Sequence, residues 1–318
     1  MFRNFKYIKN RIYKYVEVYK IFRIFLIISI FSIVNNCRFT SCSHESSEDF
    51  QSKFKAQGLI ANQSILKIQS QIDSSKVANL RFITVNAISQ YHPNSRKYVV
   101  FIHGSPGGWS DYLNILNNPE INQDFNLISV DRPGYGGSDR GIAILSLKEQ
   151  ADRIAALIAS FRDRKKVILV GHSFGGPVAA RLAMDHPNLV DGLVFVAASI
   201  SPDLEKKEWF NSLAEYKIIQ FLLPIDLITS NKEIIELKNE LTSMLPLWNK
   251  IKVPVAFLHG GEDSLVPIDN VRFGKSMLDH NNDNLIVETD PNWNHFLPWN
   301  QHGRIIELIY KLDQKIPD

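Results

Sequence analysis

Gly171-His172-Ser173-Phe174-Gly175 sets a serine between glycines placed two positions before and after it, directly behind the apolar run Lys166-Val167-Ile168-Leu169-Val170. Residues 177–184 that follow read as an apolar helix. A chain that turns from strand to helix within a few residues has no room for side chains at the flanking positions, so glycine suits 171 and 175, and Gly176 lets the helix approach the strands. The Ser173 hydroxyl then stands at the tip of the turn, at a helix N-terminus whose field favours developing negative charge. The chemistry it offers is attack on a carbonyl. The bland reading is a glycine-bounded turn, and the strand before and helix after the motif weigh against it.

An alcohol is a weak nucleophile near neutrality and needs a base. His295 fits best among the nine histidines, because it lies between the last apolar run, residues 284–288, and the last helical stretch, residues 302–312. A loop there can lean towards Ser173. His103 and His259 end strands and read as props for their loops, and His172 adjoins Ser173 in sequence with a side chain expected to point elsewhere. An acid that orients the base should also end a strand. His259-Gly260-Gly261-Glu262-Asp263-Ser264-Leu265-Val266-Pro267 offers Glu262 and Asp263.

Other chemistries are disfavoured. The two cysteines, Cys37 and Cys42, lie near the N-terminus, so the body has no thiol nucleophile and no cysteine metal site, and a bridge between them would close a tiny loop. His103-Gly104-Ser105-Pro106-Gly107-Gly108 is glycine-rich, but it lacks the Gly-Lys-Ser/Thr ending and the dinucleotide spacing of phosphate-binding loops. Ser105 is a poor nucleophile candidate, since Pro106 and the glycines put it in a loop. No metal or cofactor is expected. The chain carries +3 in all, with +6 on residues 1–36, which leaves −3 for the rest and gives nucleic acid no general attraction.

The elements that must position these residues follow from hydropathy. Residues 66–71 and 80–85 alternate apolar and polar side chains and predict two early antiparallel strands. Six continuous apolar runs follow, at 98–102, 126–130, 166–170, 189–196, 253–258 and 284–288, as suits strands of a parallel sheet buried on both faces. Helical stretches at 146–161, 177–184, 268–278 and 302–312 separate them, the first opening on Ser146 and Glu149 at capping-box spacing. The alternation predicts an α/β fold: a mostly parallel sheet of about eight strands with helices on both faces. Residues 203–250 break the rhythm with helical stretches at 204–221 and 232–244, and predict a small helical cap. The alternative is packing on the flank of the sheet.

The N-terminus reads as an address. Seven basic residues lead into the apolar run at 24–34, which is short for a bilayer crossing. The segment resembles a lipoprotein signal ending at Cys37, although Asn35 and Asn36 stand where small residues are usual; Cys42 is a second lipidation candidate. A simple secretory signal, an uncleaved anchor and a helix packed on the body are the alternatives. The expected layout is an export signal or anchor over 1–36, a linker over 37–60, a core over 61–202 and 251–318, and a cap over 203–250. Export with membrane attachment is the expected destination.

From residue 80 to residue 312 the sequence resembles the α/β-hydrolase superfamily, in the branch that includes epoxide hydrolases, haloalkane dehalogenases, C–C bond hydrolases and proline iminopeptidases. Besides the serine motif, Asp131-Arg132-Pro133-Gly134-Tyr135-Gly136-Gly137-Ser138 is similar to the family's D-R-x-G-x-G-x-S loop, in which Asp131 and Arg132 read as structural. The family pattern H-G-x-x-D-x-x-V-P selects Asp263 over Glu262. The order Ser173, Asp263, His295 agrees with the family's. The resemblance implies an oxyanion hole from the backbone N–H groups of Ser105 and Phe174. Dehalogenases and epoxide hydrolases of this branch carry aspartate where this chain has Ser173, so their chemistries are disfavoured.

The expected function is hydrolysis of a carboxylic ester through an acyl-enzyme. C–C bond hydrolysis or aminopeptidase activity by the same triad is the alternative, and a non-enzymatic binding protein on the same fold is the reading from another class. Trp109, Trp209, Phe210 and Phe221 are candidate pocket walls for a small-molecule substrate with apolar bulk, although each such residue is more often core. The sequence sets no oligomeric state.

Overall fold

The computed structural model describes residues 47–69, 77–87, 97–161, 165–205 and 223–317. The N-terminal address with Cys37 and Cys42, and the pocket candidates Trp209, Phe210 and Phe221, lie outside the described residues.

Eight strands form one sheet: β1 (Leu59–Gln69), β2 (Val77–Ala87), β3 (Lys97–Ile102), β4 (Phe125–Val130), β5 (Val167–His172), β6 (Gly192–Val196), β7 (Val255–Gly260) and β8 (Leu285–Asp290). Their spatial order is β1-β2-β4-β3-β5-β6-β7-β8. The β1–β2 and β2–β4 pairs are antiparallel and every later pair is parallel. The parallel register levels the strand ends, with Ile102 opposite Gly171, His172 opposite Val196, and Val196 opposite Leu258. His103, Ser173 and the Asp263 loop therefore leave the sheet along one edge.

Successive side chains of a strand face opposite sides, and the apolar runs feed two cores. Val100, Ile102, Leu169, Leu193, Phe195, Val255 and Phe257 pack on one face against α2 (Leu147–Phe161) and α3 (Gly175–Asp185). Val99, Phe101, Ile168, Val170, Val194, Val196, Ala256 and Leu258 face the other side. There they meet α1 (Ser47–Lys55) and α6 (His302–Asp313). At the start of α2, Glu149 N–H donates to Ser146 Oγ at 3.3 Å, while the Glu149 carboxylate takes Arg153 instead of closing the box.

Three boundaries differ from the sequence reading. Residues 47–60 are not linker: α1 buries Phe50 and Phe54, four apart on one helical face, and β1 has begun by Leu59. The run at 189–196 yields a strand only from Gly192, because Pro187–Leu189 forms a 3-10 turn and Asp191 caps Val167 N–H through its carboxylate. The helix expected from 232 begins seven residues earlier, as α4 (Ile225–Met244) behind Pro224. Leu237, Leu241 and Met244 of α4 enter the core beside Trp248. The described half of the helical cap region is thus rooted in the body. The last helix before β8 is α5 (Asp269–Met277).

Candidate active site

Ser173 ends β5 with φ +51°, in the left-handed region that a residue with a Cβ adopts only when its surroundings impose it. Its N–H donates to Val196 O at 3.0 Å and its carbonyl accepts from Gly176 N–H at 3.0 Å. The flanking glycines are required sterically. A Cβ on Gly171 would lie 2.5 Å from Gly175 O, and one on Gly175 would strike Ile102 O. A Cβ on Gly176 would strike Ala198, so the third glycine is what lets α3 sit down on β6. Phe174 caps the N-terminus of α3, and its ring is buried.

His295 and Asp263 meet at the ends of β8 and β7. His295 Nδ1 donates to Asp263 Oδ2 at 2.7 Å, with both residues buried. A neutral His295 with its proton on Nδ1 keeps Nε2 as a proton acceptor. The other oxygen of Asp263 accepts from Leu265 N–H at 3.0 Å and Val266 N–H at 2.8 Å. His259 Nε2 also reaches Oδ2 at 3.3 Å and donates to Val266 O at 2.9 Å. Burial pushes the Asp263 carboxyl up, but the hydrogen bonds from His259 and His295 outweigh it and hold the group well below the usual carboxylate range. Glu262 is exposed, and its backbone N–H donates to Trp293 O at 3.0 Å. Gly261 N–H likewise donates to Asp290 O at 2.8 Å, so the acid loop and the histidine loop are stitched together.

The glycine-rich loop packs directly on the elbow: a Cβ on Gly104 would lie 3.1 Å from Ser173 Cβ and 3.1 Å from His172 Nδ1. His103 props this loop. Its Nδ1 donates to Gly104 O at 2.7 Å and its Nε2 accepts from Arg132 N–H at 2.8 Å, which fixes the neutral tautomer. Burial, then the Arg132 charge, lowers His103 well below the ordinary histidine range. Ser105 Oγ is engaged with Tyr135 Oη and Glu233 Oε2, each at 2.7 Å. A phenol and a carboxylate are its partners. Trp109 is buried in the core, edge-on to Phe50, with its backbone N–H donating to Asp131 Oδ1 at 2.9 Å. Asp131 also takes Gly137 N–H at 2.9 Å and pairs with Arg81, a structural role for this loop.

Two features escaped the sequence reading. The His172 ring lies beside that of His295, with centroids 4.9 Å apart, and its Nε2 donates to His295 O at 3.0 Å. Burial, then the neighbouring His295, pushes His172 down to about 3, so it is neutral at working pH. Glu233, fully buried on α4, joins Arg132, Gln150, Tyr135 and Ser105. Charge in an amphipathic stretch ordinarily reads as a solvated face, and nothing in spacing links position 233 to 105. Among the described residues no group of three or more His, Cys, Asp or Glu is placed to hold a metal ion.

Residues 97–221 match the family model described as "alpha/beta hydrolase fold". A pimeloyl-[acyl-carrier protein] methyl ester esterase of Proteus mirabilis is 38% identical over 104 residues, 33% of this chain and 37% of that protein. The enzyme of the same name from Wigglesworthia glossinidia brevipalpis is 28% identical over 232 residues, 59% of this chain and 84% of that one. The chain thus spans little more than a third of the first relative and most of the second. Among solved structures, a peroxisomal α/β-hydrolase of Saccharomyces cerevisiae superposes with a TM-score of 0.64 at 14% identity, covering 82% of this chain and 91% of that one.

Proposed function

We propose that the chain is a member of the α/β-hydrolase superfamily and that, from that premise, Ser173, His295 and Asp263 hydrolyse a carboxylic ester through an acyl-enzyme. The observation that carries this reading is the buried 2.7 Å contact of His295 with Asp263, on the same sheet edge as a serine held at positive φ.

In this mechanism Ser173 Oγ attacks the ester carbonyl while His295 Nε2 takes its proton. Asp263 keeps His295 in the right tautomer and stabilises the imidazolium. The N–H groups of Ser105 and Phe174 bind the oxyanion more strongly than the ground-state carbonyl. The alcohol leaves with the proton from His295. Water then attacks the acyl-enzyme with His295 again as base, releasing the acid and restoring Ser173. The relatives' names, both methyl ester esterases, support an ester substrate. A small molecule with apolar bulk suits walls drawn from Trp209, Phe210 and Phe221, whereas Trp109 packs in the core against Phe50.

Intact mass after treatment with a fluorophosphonate tests the reading: one adduct on the folded wild type, none on Ser173→Ala, and loss of aryl-ester turnover in that variant. A folded wild type that takes no adduct removes the hydrolase reading and favours the binding role. The N-terminal address is a separate part of the proposal, motivated by the basic start and apolar run at 24–34. Export with lipidation at Cys37 predicts a mature protein whose first residue is a diacylated cysteine; a native product still beginning at Met1 removes it. Among the described residues no helix is long and apolar enough to cross a membrane.

A further inference from the structure

Arg132 is completely buried, and five hydrogen bonds occupy its five N–H groups. Nε donates to His103 O at 2.9 Å and Nη2 to Gly104 O at 2.9 Å, both carbonyls of the glycine-rich loop. Nη1 donates to Gln150 Oε1 at 2.7 Å. The remaining two N–H groups go to the two oxygens of Glu233, at 2.9 and 3.1 Å. The guanidinium also lies 4.6 Å from the centre of the Phe174 ring. One cation therefore touches the carbonyl of the Gly104–Ser105 peptide and the ring of Phe174, next to both proposed oxyanion-hole donors, and its counter-ion is supplied by α4, more than a hundred residues along the chain.

The consequence follows from the planarity of the peptide. In a trans peptide the C=O and the next N–H point in opposite directions. Arg132 and His103 both hold Gly104 O, so the N–H of Ser105 is turned away from them. Gly104 itself lies against Ser173. Arg132 can hold this arrangement only while its charge is matched, because a buried guanidinium with two donors unpaired would reorganise towards any other acceptor or water. Glu233 prevents that, and it takes Ser105 Oγ at 2.7 Å as well, fixing the far side of the same residue.

We propose that Glu233 is a positioning residue for the oxyanion hole: through Arg132 and Ser105 it locks the Gly104–Ser105 peptide in the orientation that presents Ser105 N–H to the reacting carbonyl. This rests on the serine-hydrolase reading above. It gives α4 a part in positioning the oxyanion hole. The binding of substrate in its ground state depends little on this peptide, whereas the tetrahedral oxyanion depends on it strongly.

The test uses the full chain with Glu233→Gln, which keeps shape but removes the charge and sets an NH2 against donors. With an aryl acetate ester, kcat falls about 10–100-fold while KM stays within about twofold, because the loss is confined to the transition state. The Ki of an aryl trifluoromethyl ketone, which forms a tetrahedral oxyanion on the serine, rises by the same factor as kcat/KM falls. A purely structural role would lower the melting temperature and leave kcat and Ki, measured where the variant is folded, at wild-type values; that result overturns the proposal. Should Glu233→Gln fail to fold, Ser105→Ala carries the test, since it deletes only the Oγ links and keeps the N–H. A severalfold loss in kcat with a matching rise in Ki is expected, and unchanged values overturn the proposal. A wild type that takes no fluorophosphonate overturns the underlying reading with it, whereas a labelled wild type with unaffected variants overturns this proposal alone.

Discussion

The Nε2 atom of His172 lies 3.0 Å from the carbonyl oxygen of His295, so the residue before the proposed nucleophile holds the backbone of the proposed base. Since a carbonyl only accepts, Nε2 carries the proton, and Nδ1 finds no hydrogen-bond partner among the described residues. Replacement by phenylalanine removes a useful donor and an orphaned acceptor together. His172→Phe should therefore change stability by only about 1 kcal/mol. It should still cost about tenfold in kcat, because His295 loses a constraint on its position. Urea unfolding and ester kinetics on the same preparation check both numbers.

Asp263→Asn should leave the loop in place, since its Oδ1 partners are backbone N–H groups of Leu265 and Val266. It offers His295 an amide in place of a carboxylate, which favours the wrong tautomer and forfeits stabilisation of the imidazolium. A fall in kcat of about 10³–10⁴-fold is expected, with a residue of activity from the oxyanion hole. A loss below tenfold would move the acid elsewhere.

The elbow tolerates no added methyl group. Gly175→Ala sets a Cβ against the Ile102 carbonyl, and Gly171→Ala sets one against Gly175 O. Each obstacle is backbone, so relief requires moving a strand end or α3. Each variant should lose about 1–3 kcal/mol in urea unfolding. Activity should fall further than stability, because the displaced segment carries Ser173.

Two groups bend the stability–pH curve in opposite senses. His172 titrates near 3 in the folded chain, because burial, then His295, disfavours its charge. The unfolded chain binds a proton at about 6.5, so stability is complete above that pH and declines as pH falls towards 3. Asp111 is raised by burial to about 7, partly offset by the Gly108 N–H. It retains a proton that the unfolded chain releases near 3.9, so its contribution to stability falls as pH rises from about 4 to 7. Some solvent exposure of Asp111 damps that second slope. His172→Phe should flatten the acid decline, and Asp111→Asn should flatten the decline towards neutrality, both read from melting temperatures across the range.

The sheet was legible because burial on both faces forces runs such as Val99-Val100-Phe101-Ile102 to be apolar throughout, which few other structures do. The proposed triad positions stood out because each follows the end of a strand. Positions fixed by long-range polar contacts did not. Glu233 is a helical glutamate among other charged residues, and only the burial of Arg132 opposite gives it meaning. The start of α4 was missed for a related reason: Thr229 and Ser230 interrupt the apolar pattern, yet both are buried. At the N-terminal side, Phe50 and Phe54 were a two-residue signal in an otherwise polar stretch, too short to register against Ser, Glu and Gln.

The proposed nucleophile and its proposed base differ in how firmly they are anchored. Ser173 leaves β5, which has strands on both sides and is buried along its whole length. His295 follows β8, which among the described strands pairs with β7 alone and is nowhere fully buried. Edge strands open at lower free energy than central ones. Fraying of β8 would carry the base away while the sheet around the serine stayed intact. Heat should therefore silence this protein before it unfolds it, and amide exchange in residues 285–290 should track the loss of turnover more closely than exchange in the central strands.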